Sequence, residues 1–216
     1  RFFLLAGLCF ILLYPLFYMI SMAFRPWTEF ADPLVIWLPR NLTMDNFLFA
    51  LELMGIPESF LLTLGISGVS SLLQIVSCAF AGYGFARFSF KFRGLLFAGM
   101  LFTIIVPPQT YIIPLYMQYR FFDFFGLGSL LGLVSGTKFS VNMINSVFTF
   151  YLPALLASGI RSGLFIFIFA QFFRGMPREL EDAAYIDGYG FMGTFTRIFI
   201  PNSLPAFLTV FFFSFV

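Results

Sequence analysis

The residue types that carry most enzyme chemistry are scarce in this sequence. It contains no histidine, and its two cysteines, Cys9 and Cys78, lie far apart within apolar runs, where we expect them to serve packing. Without histidine or clustered cysteines, a transition-metal site is not expected. A Gly-x-x-x-x-Gly-Lys-Ser/Thr phosphate-binding loop is also absent, and the nearest stretch, GLVSGTKF at 132–139, has its lysine after threonine. From the sequence we therefore predict that the chain is not an enzyme and that it has no catalytic residue, no metal site and no cofactor.

The acidic residues are concentrated in one segment, ELEDAAYIDGYGFMGTFTRIFIP, from Glu179 to Pro201. It holds four of the ten acidic residues of the chain, an alanine pair and three glycines. Pro177 suits the first turn of a helix, where its missing N–H costs nothing. The helix dipole favours the acidic residues that follow it in that turn. Gly188 is placed to end the helix in a left-handed conformation. We predict a helix over 177–187, a second over 191–200 that Pro201 ends, and hence a helical hairpin.

Each predicted helix of this hairpin has one face with residues suited to packing. The first face carries Leu180, Ala183, Ala184 and Asp187, and the second carries Phe191, Phe195 and Ile198. Paired alanines allow another surface to approach closely. The residues alone leave two functions open: a connecting loop packed on its own helices, or a docking element for a cytosolic partner.

The composition of the whole chain is that of an integral membrane protein. Of the 216 residues, 60% are hydrophobic and 10% are charged, whereas a soluble domain has roughly 45–50% and 25%. The net charge of +2 gives no argument for nucleic acid. We predict an all-α, polytopic transmembrane helical bundle in a single domain, 1–216, with about five spans and the last one truncated. The predicted spans are 2–24, 60–86, 95–114 (broken at its two prolines), 153–173 and 204–216.

The basic residues predict how these spans are oriented. The link RFSFKFR, Arg87 to Arg93, has three positive charges and no acid, which is typical of a cytoplasmic loop. Alternation then places 25–58 and 115–150 outside and returns the hairpin to the cytosol. Within the outer part, 124–152 is compatible with a re-entrant piece, an interfacial helix or an extension of the fourth span.

Three polar residues are candidates for a substrate path through the membrane. Arg161 and Ser162 lie about eight residues into the predicted fourth span, and Gln109 follows the proline break of the third. Ionisable groups and broken helices at membrane depth are often functional. The alternatives are helix packing for Gln109 and an interfacial position for Arg161. Tyr83 and the small residues around it are expected to serve close helix packing.

The hairpin segment resembles the signature of permease subunits from binding-protein-dependent ABC importers. That signature is Glu-Ala-Ala, three residues, Gly, nine residues, Ile, any residue, Leu-Pro. Here Asp182-Ala183-Ala184, Gly188, Ile198 and Ile200-Pro201 match its spacing at every step, with Asp for Glu and Ile for Leu. The flanks FFRGMPRELEDAAYIDGYG, FIPNSLPAF, RFSFKFRG and VPPQTYIIPLY are similar to the carbohydrate-uptake subgroup, of the maltose-transporter second-subunit type.

The resemblance implies the type I ABC importer permease fold in the cell membrane of a prokaryote. It also implies a sibling permease subunit, cytosolic ATPase subunits, an extracytoplasmic solute-binding protein and contact with membrane lipid. The residues expected to couple the chain to the ATPase are Glu181, Asp182, Ala183, Ala184, Asp187, Gly188, Phe195, Ile198, Ile200 and Pro201. The expected solute is a sugar or oligosaccharide.

Three other functions remain open at this point. The same architecture suits another solute, such as a polyamine or an inorganic anion. An ion-coupled carrier needs acidic relay groups inside its spans, and none of the ten acidic residues falls in the first four predicted spans. A membrane-embedded enzyme needs a catalytic dyad or a metal site at membrane depth. This sequence has no histidine that could contribute to either.

Overall fold

A computed structural model describes residues 1–33, 38–124, 126–128, 130, 132 and 140–216. Over these residues the regular structure is helical, with one isolated β-bridge between Phe122 and Val141, which confirms the all-α prediction. The stretch 133–139, which includes most of the segment compared with a phosphate-binding loop, lies outside the described residues. The chain divides into two compact units, 1–63 and 64–216, and its assignment to a single domain stays a prediction.

The first unit contains the first predicted span. Helix α1, Phe2–Ala23, is long and apolar enough to cross a membrane. The residues of its most apolar stretch are not buried against other parts of the described chain. Helix α2, Asp45–Leu53, follows a loop. The side chain of Asn46 donates hydrogen bonds to the carbonyl oxygens of Ala23 (3.1 Å) and Arg25 (2.7 Å). These bonds attach the start of α2 to the end of α1, where helix carbonyls lack intrahelical partners.

Helix α3, Ile56–Arg87, is the second long apolar helix and runs into the second unit. The helices that follow it are α4 Arg93–Ile105, α5 Ile112–Arg120, α6 Phe148–Leu155, α7 Ser162–Gly175, α8 Glu179–Ile186, α9 Phe191–Asn202 and α10 Leu204–Phe215. Between α9 and α10 the chain bends by 79°. If that bent pair counts as one span, the described residues hold three candidate spans, and otherwise two.

The core of the second unit forms where α3 packs on α7. Cys78 and Ala79 of α3 are almost fully buried, as is Phe169 of α7. A Cβ atom on Gly82 would lie only 2.6 Å from the Cβ of Phe169 and 3.1 Å from the backbone nitrogen of Ala170. The two helices therefore approach as closely as a glycine allows, as the sequence predicted for this part of α3.

The third and fourth predicted spans are each divided into two helices. Pro107 and Pro108 end α4 as expected, because Val106 is extended and a proline has no N–H to donate. A continuous fourth span over 153–173 was wrong. Helix α6 ends at Leu155, and left-handed residues at Ala157 (φ 52°) and Arg161 (φ 64°) separate it from α7. The segment 124–152 ends in the first residues of α6, Phe148–Leu155, which is compatible with both an interfacial helix and an extension of the fourth span. Much of the stretch considered as a re-entrant piece lies outside the described residues.

Candidate functional site

The hairpin predicted from the acidic segment is present, with a sharp glycine turn. Its first helix, α8, carries Glu179, Glu181 and Asp182 in its first turn, where the helix dipole favours them. Gly188 follows at φ 80°, a left-handed conformation that favours glycine. The amide of Gly188 donates to the Tyr185 carbonyl (3.1 Å), and that of Tyr189 donates to the Ala184 carbonyl (2.9 Å). These bonds satisfy the last carbonyls of α8.

The second helix of the hairpin continues two residues past its predicted end at position 200. Pro201 was expected to terminate it, but α9 runs to Asn202 because Phe195–Phe199 form a π-turn. In that turn the amide of Ile200 bonds to the Phe195 carbonyl, five residues back. The side chain of Asn202 then donates to the Ile198 carbonyl (2.8 Å). The missing N–H of Pro201 is thereby tolerated.

All ten predicted coupling residues lie in this hairpin, on two differently exposed surfaces. Ala184 (1% exposed) and Phe195 (2% exposed) are buried. Glu181, Ile198 and Ile200 are half-buried. The remaining five are exposed: Asp182, Ala183, Asp187, Gly188 and Pro201. The paired alanines thus point in different directions: Ala184 packs into the protein, and Ala183 lies on its exposed surface.

An aromatic cluster holds the second hairpin helix against the end of α3. At its centre is Tyr83, which is fully buried. Its ring centroid lies 4.8 Å from that of Phe199, 5.0 Å from that of Phe195 and 5.3 Å from that of Phe191. Phe173 of α7 joins from the other side at 5.9 Å. Each such pair adds about 0.5–1.5 kcal/mol beyond its buried area, so α9 is firmly attached.

Arg87, the last residue of α3, connects this cluster with the first hairpin helix. One of its guanidinium nitrogens donates to the carbonyl oxygens of Phe173 (2.8 Å) and Met176 (2.7 Å). The other lies 3.6 Å from a carboxylate oxygen of Glu181, and the side chains of this ion pair are 5% and 14% exposed. The guanidinium carbon also lies 4.9 Å from the centre of the Phe199 ring. Sequence reasoning used Arg87 only to predict orientation and missed these contacts.

The exposed surface of α8 is acidic. Glu179 and Asp182 of α8 and Asp187, the residue that follows the helix, are all exposed, whereas Glu181 turns towards Arg87. The Tyr185 hydroxyl donates to Glu181 Oε1 (3.2 Å). Desolvation and then the negative charge of Glu181 raise the pKa of Tyr185. The surface therefore offers carboxylates and small residues to a binding partner with basic groups.

The three substrate-path candidates lie in different environments. Ser162 is buried at the start of α7, where its hydroxyl accepts a 2.8 Å hydrogen bond from Gln74. Arg161 precedes it, is exposed, and donates to the Phe213 carbonyl (3.4 Å). Arg161 is therefore at the beginning of a helix and not eight residues inside one. Gln109 is exposed in a short 3₁₀ turn, and none of the described hydrogen bonds joins it to the other two.

Gln74, which the sequence analysis did not single out, is the centre of a buried polar cluster. Its amide nitrogen donates to Ser162 Oγ and to the Ile160 carbonyl (2.9 Å), and its amide oxygen accepts from Ser214 Oγ (2.7 Å). Each hydrogen-bonding group of the amide thus has a partner, as burial requires. A lone glutamine in the middle of an apolar helix was the available signal. Within the described part of the chain, no group of three or more His, Cys, Asp or Glu residues is arranged to hold a metal.

Comparisons with known proteins relate this chain to transport proteins. No family model matches it. It is 30% identical over 168 residues to the alpha-glucoside transport system permease protein AglG of Rhizobium meliloti, covering 78% of this chain and 40% of that protein. It is 29% identical over 204 residues to the arabinooligosaccharides transport system permease protein AraQ of Halalkalibacterium halodurans, covering 93% and 64%. The chain therefore spans less than two thirds of the length of these curated relatives.

A solved structure has the same fold. It is described as a bacterial ABC transporter involved in the import of the acidic polysaccharide alginate. One of its chains superposes with a TM-score of 0.64 at 18% identity, over 98% of this chain and 66% of that one. This likeness confirms the predicted helical permease fold. Together with the apolar helices α1 and α3 and the curated relatives, it confirms that the chain is an integral membrane protein.

Proposed function

We propose that this chain, a relative of sugar ABC transporter permease proteins, forms one transmembrane subunit of an ATP-driven importer. The observation that carries the proposal is the hairpin α8–α9. Its second helix is fixed by the aromatic cluster, while its first helix exposes carboxylates, Ala183 and Ile186, which is 86% exposed. A docking element needs one fixed side and one free side, and this hairpin has both.

In this proposal the hairpin binds a cytosolic ATPase subunit through the exposed members of its ten coupling residues, whereas the buried Ala184 and Phe195 fix the hairpin to its own chain. Closure of the ATPases around nucleotide moves the hairpin, and the helices attached to it change the access of the path across the membrane. Only Ser203 separates the end of α9 from the start of α10, at the 79° bend next to Pro201. A displacement of α9 therefore also displaces α10. A sibling permease completes the path, and an extracytoplasmic binding protein delivers the solute.

The proposed solute is a sugar or oligosaccharide. The support is that the relatives described above are named for alpha-glucosides and arabinooligosaccharides. Ser162 and Arg161 stay the proposed substrate-path residues, together with Gln109. Of these, Ser162 is already paired with Gln74, so its contact with solute requires the path to open at the start of α7.

The docking claim is tested by substituting the same residue at two glycines of the hairpin turn. Gly188 has φ 80°, where a β-branched residue is strongly disfavoured. Gly190 is extended (φ −78°, ψ 179°), and a Cβ there meets nothing within 4 Å. We expect Gly188→Val to abolish co-purification of an ATPase with the tagged chain and Gly190→Val to retain it. Equal recovery of the ATPase with both variants would contradict docking at this turn.

A further inference from the structure

The first hairpin helix has few attachments to the rest of the second unit. Ala184 is the buried residue of α8, and its side chain is a single methyl group. The ion pair between Glu181 and Arg87 is the described polar link from α8 to α3. Position and tilt of α8 therefore depend heavily on Arg87.

Arg87 contacts four separate segments with one side chain. It bonds to carbonyls at the end of α7 and in the link to α8, pairs with Glu181, and stacks on Phe199 of α9. A planar guanidinium with several donors suits this arrangement, whereas a lysine ammonium provides one compact charge. Arg87 is the last residue of α3, so it connects the hairpin to the part of that helix that lies in the second unit, 64–87.

We propose that Arg87 is a positioning residue that makes the hairpin move as one body with α3 and the end of α7. Displacement of the hairpin then reaches the membrane part by two routes, through α10 and directly through α3. This inference rests on the proposed function for its role in transport, but the rigid attachment itself is a property of the chain alone.

The attachment is tested with two spin labels in the purified full-length protein in lipid nanodiscs. The labels are placed at Glu179 of α8 and Leu72 of α3, both exposed, after replacing Cys9 by Ser and Cys78 by Ala. Pulsed electron resonance then gives the distribution of the distance between them. We expect one narrow distribution with Arg87 present, at least a twofold broadening in Arg87→Met, and an intermediate width in Arg87→Lys. Glu181→Gln is expected to broaden the wild-type distribution but to add nothing in the Arg87→Met background.

Arg174→Met is the matched control. Arg174 is a nearby cation at the end of α7 whose described contacts are to the Phe85 carbonyl (3.3 Å) and the Phe97 ring (4.6 Å), outside the hairpin. It is expected to leave the distribution narrow. A narrow distribution in Arg87→Met would overturn the proposal, and so would equal broadening in both variants, because the effect would then be general loosening.

The role in transport is tested in the transporter assembled with its co-purified ATPase. Between the nucleotide-free state and the state trapped with ATP and vanadate, the wild-type distance is expected to stay constant, because both labels move together. In Arg87→Met it is expected to change. A nucleotide-dependent change in the wild type would refute movement as one body. Failure of any ATPase to co-purify would instead refute the proposed function, and the width measurements would still decide the attachment.

Discussion

Replacing Gly82 by alanine is the most direct test of how closely α3 and α7 pack. The added Cβ would lie 2.6 Å from Phe169 Cβ, 3.1 Å from the Ala170 nitrogen and 3.2 Å from the Ile166 carbonyl oxygen. These neighbours are backbone atoms and a Cβ, which no side-chain rotation can remove. The helices must therefore separate, and overpacking of this kind costs about 1–3 kcal/mol.

The same substitution at Gly84 provides the control. Gly84 lies in the same helix, and the nearest atom to an added Cβ is the Cδ2 ring carbon of Phe88 at 4.0 Å. Alanine is favoured over glycine in a helix by about 1 kcal/mol at either position, so this contribution cancels in the comparison. The predicted difference in the free energy of unfolding between the two variants is thus about 1–3 kcal/mol, with Gly82→Ala the less stable.

Thermal unfolding can be followed through the buried Cys78 thiol. In a Cys9→Ser background, a thiol-reactive fluorescent dye reports the loss of packing around Cys78, which is fully buried beside Gly82 in α3. At a fixed heating rate, 1 kcal/mol corresponds to about 2–4 °C in a chain of this size. We expect Gly82→Ala to unfold several degrees below Gly84→Ala. Equal midpoints, or a higher midpoint for Gly82→Ala, would refute the close approach of the two helices.

Two further predictions concern polar contacts of the second unit. Gln74→Leu leaves the buried partners of Gln74 without hydrogen bonds and should destabilise the protein by about 1–3 kcal/mol. The control, Gln171→Leu at an exposed position of α7, should change the unfolding midpoint little. Equal effects of the two substitutions would contradict the buried polar cluster. Because Glu181 contributes to the raised pKa of Tyr185, Glu181→Gln should lower that pKa towards its ordinary value. The pKa is measured by ultraviolet titration, with the spectrum of Tyr185→Phe subtracted to isolate this phenol. An unchanged or higher pKa would show that the carboxylate does not act on the phenol.

The parts of the fold set by local residue preferences were predictable from the sequence. Helix α3 follows from a long apolar run, and the end of α8 follows from Gly188, which is the residue best able to adopt φ 80°. The break after Ile105 follows from two prolines. In each case neighbours in sequence decide the structure, so no knowledge of distant contacts is needed.

The parts set by distant contacts were not predictable from one sequence. The start of α7 at Ser162 depends on Gln74, 88 positions earlier in the chain. Arg87 and Glu181 are likewise far apart in sequence, and nothing in either local pattern identifies the other as its partner. The continuation of α9 through Pro201 depends on a π-turn and on the side chain of Asn202, an accommodation that the general rule for proline does not anticipate.

The two alanines of the signature segment have separate tasks under the proposed function. Ala184 is 1% exposed, so its small size serves packing of α8 against its own chain, while Ala183 is exposed. A small residue at an exposed position allows a partner's surface to approach the helix backbone closely. The adjacent carboxylates of Asp182 and Asp187 are then available to basic groups of that partner. A requirement for two small residues in a row thus reflects two contacts on adjacent sides of one helix, about 100° apart, one within the chain and, under the proposed function, one with the ATPase.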